Sequence, residues 1–113
     1  MIENYSFGKI VIDGVSYRSD VIVTPQEVIS NWWRRKGHEL CIADICKVVE
    51  EYQPEILVVG TGKFGLMKIL PETEDFLQER NVRLIVLKTG DAWKRFNSES
   101  AQAQVVGAFH LTC

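Results

Sequence analysis

Residues 60–65 read Gly-Thr-Gly-Lys-Phe-Gly, a G-x-G-x-x-G spacing directly after the aliphatic run Ile56–Val59. In a dinucleotide-binding fold such glycines let a pyrophosphate approach a helix N-terminus, and a carboxylate ending the next strand holds the ribose. Neither partner feature is present. The next helix signal waits until Pro71, and Lys88 stands where the carboxylate belongs. A P-loop is excluded too, because Gly62-Lys63 is not preceded by a glycine and four-residue spacer. What remains is a tight turn that needs positive φ, or a small anion site. Backbone amides of Gly60, Thr61, Gly62 and Lys63 would converge there with those of Lys88 and Thr89 at the end of a second strand. Lys63 and Lys88 would add charge, and Asp91 is the nearby acid.

Asn31-Trp32-Trp33-Arg34-Arg35-Lys36 is the second stretch with chemical content. On a strand, adjacent tryptophans point to opposite faces, so one enters the core and the other is exposed. An exposed Trp beside Arg has the composition of a binding hot spot. Trp32, Trp33, Arg34 and Arg35 are therefore the candidate protein-interaction residues. His38, Cys41, Asp44 and Cys46 include metal-ligand types, but no C-x-x-C pair exists and Cys41 and Cys46 fall on different sides of a helix. No metal or other cofactor is expected. No nucleophile elbow or H-E-x-x-H helix occurs. His110 alternates with Val106 and Ala108 on a terminal strand and reads as structural, since no carboxylate or nucleophile lies beside it in sequence.

The elements that must position these residues change character along the chain. The first third is β-rich: residues 6–12 lead into the hairpin signal Asp13-Gly14, short strands follow at 15–17 and 20–24, and 28–35 is strand-like. From Leu40 the apolar period becomes helical, with Ile42, Ile45, Val49 and Tyr52 on one face and Pro54 as the stop. The run 56–59 has no polar side, so it belongs to a strand covered on both faces. Pro71 with Glu72, Glu74 and Asp75 opens another helix. Arg83–Leu87 is a second buried strand, which makes 55–87 a right-handed βαβ unit. Thr89 or Asp91 caps a third helix, with Ala92 and Phe96 facing inward, and Val105–Leu111 is a last strand. At 113 residues, 46% hydrophobic and 25% charged, the chain forms one α/β domain, 1–113. A net charge of -2 gives no global field for nucleic acid or an anionic membrane. No apolar run approaches a membrane span and no basic-then-apolar leader opens the chain. Three cysteines without paired spacing fit a reducing compartment, and a cytoplasmic location is expected.

Several short motifs follow one another in a recognisable order: Phe7-Gly8-Lys9-Ile10, Asp13-Gly14, Asn31-Trp32-Trp33-Arg34, Gly37-His38, Asp44, Val58-Val59-Gly60-Thr61-Gly62 and Leu70-Pro71-Glu72. Thr89, Ala92, Phe96-Asn97, Val105 and Gly107-Ala108 continue it. The chain resembles the small domain of unknown function shared by the adipogenesis-associated protein and mitochondrial complex I assembly factor 3. The resemblance implies a three-layer fold: a central mixed sheet of about five strands, one antiparallel to the rest, with helices on one side and a small extra antiparallel β layer on the other. It departs from the pattern at Gln102 and Gln104, where relatives often carry an acid and an arginine, so any activity that needs that pair is not expected here.

The functional expectation is a non-catalytic protein-binding or assembly module whose partner, or second copy, meets the chain at Trp32–Arg35. The alternative is a small-molecule or anion-binding protein, enzymes included, that uses the Gly60-Thr61-Gly62 turn.

Overall fold

The computed structural model describes residues 1–113. Thirteen elements follow in order: β1 (Ile2–Ser6), β2 (Lys9–Ile12), β3 (Val15–Tyr17), β4 (Val21–Val23), β5 (Val28–Ile29), β6 (Glu39–Leu40), α1 (Ile42–Tyr52), β7 (Ile56–Thr61), β8 (Lys68–Ile69), α2 (Pro71–Glu79), β9 (Arg83–Leu87), α3 (Thr89–Ser100) and β10 (Val105–His110). The central sheet has the order β5-β4-β10-β7-β9. β10, β7 and β9 are parallel, and β4 runs against both β10 and β5, so it is the single antiparallel member. β1, β2 and β3 form a separate antiparallel meander, and β6 pairs with β8 in a two-stranded parallel ladder.

Every residue of β7 and β10 is buried, which is why their sequences carry no polar face. Alternate side chains feed two cores. Leu57, Val59, Val106 and Ala108 face Ile45, Val48 and Val49 of α1, and Phe76 and Leu77 of α2. Ile56, Val58, Val105 and Phe109 face Ala92 and Phe96 of α3 together with Ile2, Ile10 and Ile12 of the meander.

Three expectations need correction. Helices were expected on one face only, but α3 shares the opposite face with the small β layer. The cause is topological: β7-α2-β9 steps outward across the sheet, while β9-α3-β10 steps back over β7. Two right-handed crossovers in opposite directions place their helices on opposite faces. Second, the strand expected over 28–35 stops at Ile29, and Asn31 takes a left-handed conformation (φ 55°) that turns the following residues off the sheet. Third, neither Thr89 nor Asp91 caps α3; Lys88 occupies the N-cap position, where its ammonium offers the helix amides no acceptor, and Thr89 is the first helical residue with its hydroxyl on His110 O.

Candidate functional site

The glycine turn sits at the carboxyl ends of β7 and β10, where ligands collect in open α/β sheets. Its amides, however, are already bonded. Gly62 donates to Thr89 Oγ1 (2.9 Å), and that hydroxyl donates to the carbonyl of His110 (2.6 Å). Lys63 donates to Thr112 O (2.7 Å), Gly65 to Gly62 O, Leu66 to Cys113 O, and Thr89 to Gly62 O. The chain's own residues 110–113 thus fill the cradle that the spacing offered to an anion. Gly60 is an ordinary strand residue, placed where a Cβ would meet Thr89 Oγ1 at 2.7 Å. Gly62 (φ 100°) needs its freedom doubly, since a Cβ there would strike Cys113 and His110. The side chains of Lys63, Lys88 and Asp91 are exposed, while Thr61 and Thr89 are buried and bonded to backbone.

Beside this turn lies a buried polar cluster that joins three distant parts of the chain. The antiparallel register pairs Phe109 with Val21, which sets the next residues out, His110 and Asp20, side by side. Asp20 Oδ2 lies 2.8 Å from His110 Nδ1 and 2.8 Å from Arg34 Nη1, and Oδ1 accepts from the Leu111 amide at 2.8 Å. His110 Nδ1 thus faces the Asp20 carboxylate, which accepts, and Arg34 Nη2 at 3.0 Å, which donates, and the imidazole tautomer sets which of the two it bonds. Arg34 Nε and Nη2 donate to Gly37 O, which closes the 34–37 loop, and its guanidinium lies 4.7 Å from the Trp32 ring. The side chains of Arg34 and His110 are only 4% and 7% exposed. Two atoms of the cluster stay unsatisfied: Arg34 Nη1, whose N–H does not aim along its ion pair, and His110 Nε2. The His110 ring meets the His38 ring nearly edge-on, centroids 5.8 Å apart.

A family model described as "Protein of unknown function (DUF498/DUF598)" matches residues 2–110. The chain belongs to this family. Solved structures share the fold over nearly the full length. A protein described as MT938 shares 26% identity at a TM-score of 0.79, covering 100% of this chain and 98% of its own. A Bartonella henselae structure described as an outer membrane protein shares 26% identity at 0.83, covering 99% and 94%. The conserved hypothetical protein PH1505 from Pyrococcus horikoshii OT3 has the same fold, with 24% identity, a TM-score of 0.80 and coverage of 100% and 99%. In this DUF498/DUF598 chain no helix is long and apolar enough to cross a membrane.

Burial pushes the Asp20 carboxyl upward, but hydrogen bonding with His110 and the Leu111 amide and the Arg34 guanidinium beside it outweigh it, and its pKa falls below the ordinary 3.8. Tyr5 donates to Leu111 O at 2.8 Å, and burial, assisted by the Asp20 charge, raises its hydroxyl above 10. Asp44 completes the frame. Its carboxylate accepts from the amides of Arg35 (3.1 Å) and Cys41 (3.0 Å), and its carbonyl accepts from Trp32 Nε1 (3.1 Å).

The four interaction candidates therefore separate. Trp32 is 6% exposed and packs in the core, and Arg34 is turned inward. Trp33 is 78% exposed and Arg35 is also at the surface. The tryptophans do point opposite ways, from a loop rather than from a strand. His110 shows no carboxylate partner in the sequence because Asp20 lies 90 residues away. The signal that joins them is the register of β4 on β10, which no local pattern contains.

Proposed function

We propose that this DUF498/DUF598 protein is a non-catalytic protein-binding module, with Trp33 as its principal contact. The observation that carries this reading is that a 78% exposed indole stands between two immobilised residues. Trp32 is fixed by burial and by its bond to Asp44 O, and Arg34 by Asp20 and Gly37. A rigid aromatic presented in this way loses little conformational freedom on binding, which is the general route to a hot spot.

Trp33→Ala should leave circular dichroism and the melting temperature unchanged, because the side chain touches little of its own protein. Capture of partners from the native cell extract, or self-association in sedimentation, should weaken by an order of magnitude or more. Identical capture and sedimentation profiles for wild type and variant would remove the proposal. Trp32→Ala is the contrasting case and should cost about 3–5 kcal/mol of stability.

A further inference from the structure

Phe7, Phe64 and Leu66 are 50%, 59% and 47% exposed, although each is large and apolar. Phe7 is far from the other two in sequence and close in space. It lies in the two-residue loop between β1 and β2, Phe64 lies in the turn after β7, and their ring centroids are 6.5 Å apart. Each phenylalanine precedes a left-handed glycine, Gly8 (φ 77°) or Gly65 (φ 71°), so each stands at a sharp reversal of the chain. Both reversals are fastened to the segment after β10. Gly8 donates to Leu111 O at 2.9 Å, Lys63 to Thr112 O at 2.7 Å and Leu66 to Cys113 O at 3.2 Å. The apolar tip is thus presented by a held backbone. A contiguous exposed patch of this kind marks a surface that something else covers.

Lysines ring the tip. Lys9 follows the first loop, Lys63 adjoins Phe64, and the Lys88 stem lies against Gly65, where a Cβ would meet Lys88 Cγ at 3.3 Å. None of the three takes part in an ion pair. Asp91 is the one acidic side chain on residues 7–9, 62–66, 88–91 and 111–113. Balancing acids stand at the far end of the sheet: Glu50 and Glu51 in the last turn of α1, Glu55 before β7, Glu79 ending α2 and Glu99 near the end of α3. The net charge of -2 therefore hides a positive field around the tip. Three features select the occupant. The apolar side chains stand on chain reversals, from which they can enter a fluid layer that parts around them, whereas a folded partner would need a cavity shaped to receive them. Leu66 has no ring on which a nucleic-acid base could stack. The cations are all lysines, point charges on long stems that can lie along acyl chains while the head reaches a phosphate, without the fork that suits arginine to nucleic acid. A second copy cannot meet the patch tip to tip, since lysine would face lysine, and a head-to-tail contact does not close. We propose that this end of the molecule docks on an anionic lipid surface. Phe7, Phe64 and Leu66 enter the headgroup layer, and Lys9, Lys63 and Lys88 pair with lipid phosphates.

The test is co-sedimentation of the whole protein with vesicles of phosphatidylcholine alone and of phosphatidylcholine with about 30% phosphatidylserine. The anionic vesicles should bind at least tenfold tighter than the neutral ones, and added salt should weaken them. Phe64→Ala and Phe7→Ala should each weaken binding about fivefold to tenfold at an unchanged melting temperature, since both rings are exposed. Phe64→Trp should keep it. Lys63→Gln and Lys88→Gln should each cost about fivefold on anionic vesicles and nothing on neutral ones. Trp33→Ala should bind vesicles normally, which separates this surface from the one proposed above. Four results would each overturn the proposal: no binding at millimolar lipid; equal binding to both vesicles; phenylalanine variants that bind as wild type; or a single-stranded oligothymidylate that binds tighter than the vesicles and is lost with Phe64→Ala. An oligomer in sedimentation that Phe64→Ala dissolves would assign the patch to a second copy and overturn it as well.

Discussion

Asp20 is tied to His110 on a strand, to Arg34 in a loop by an ion pair and to the Leu111 amide beyond β10, so its removal is felt in three parts of the chain at once. Asp20→Asn keeps the shape but leaves Arg34 as a buried cation without its counter-ion, and should cost about 3 kcal/mol in urea denaturation. The pH dependence follows from the direction of the shift. The Asp20 carboxyl is held below 3.8 in the fold, so its contribution is present above that value and is lost as pH falls through the lower folded value. Wild-type stability should therefore drop more steeply below about pH 4 than that of Asp20→Asn, whose acid limb lacks this proton uptake. Gly62→Ala should cost about 2–3 kcal/mol, combining left-handed strain with overpacking against His110 and Cys113. These residues were visible in the sequence only as types. Gly62 announced a special backbone position, but what fills its concave side is the chain 50 residues downstream, and that contact has no local signature.

Elements with a strong period or a punctuating residue were the legible ones. Ile56–Thr61 lacks any polar face, Pro71 starts α2, and Arg83–Leu87 closes the βαβ unit, each where the residues place it. The 28–35 segment misled because two tryptophans and an isoleucine imitate a strand; a left-handed Asn31 and the bonds of Arg34 to Gly37 override that propensity. The C-terminus of α1 offers a quantitative check. Gln53 adopts φ 44°, ψ 57° with its amide on Val49 O, a left-handed cap occupied by a residue with a Cβ. Gln53→Gly should raise stability by about 0.5–1 kcal/mol, read as a higher denaturant midpoint at unchanged slope.

At the scale of the molecule, two apolar cores lie on opposite faces of the same two strands. Ile10 belongs to one and Leu77 to the other, yet both rest on β7 and β10. Neither core can melt while those strands keep their pairing, so the halves should unfold together. Ile10→Ala and Leu77→Ala should each cost about 2–5 kcal/mol. In both variants, fluorescence and far-UV circular dichroism should report one coincident transition. The mixed sheet with its extra β layer was legible from the order of motifs. The side on which α3 lies was not. It depends on the direction of the return crossover, which becomes known only when β10 is placed inside β7 instead of outside β9.

The unequal edges of the central sheet have a consequence for how the molecule behaves in a crowd. A sheet with two adhesive edges is bifunctional and can polymerise into ribbons. Here β5 is too short to extend and β9 alone is open, so the sheet is monofunctional. Copies of this chain therefore cannot link into ribbons sheet to sheet: once β9 is covered, only the two-residue β5 edge is left. Addition along this sheet therefore terminates at a single step.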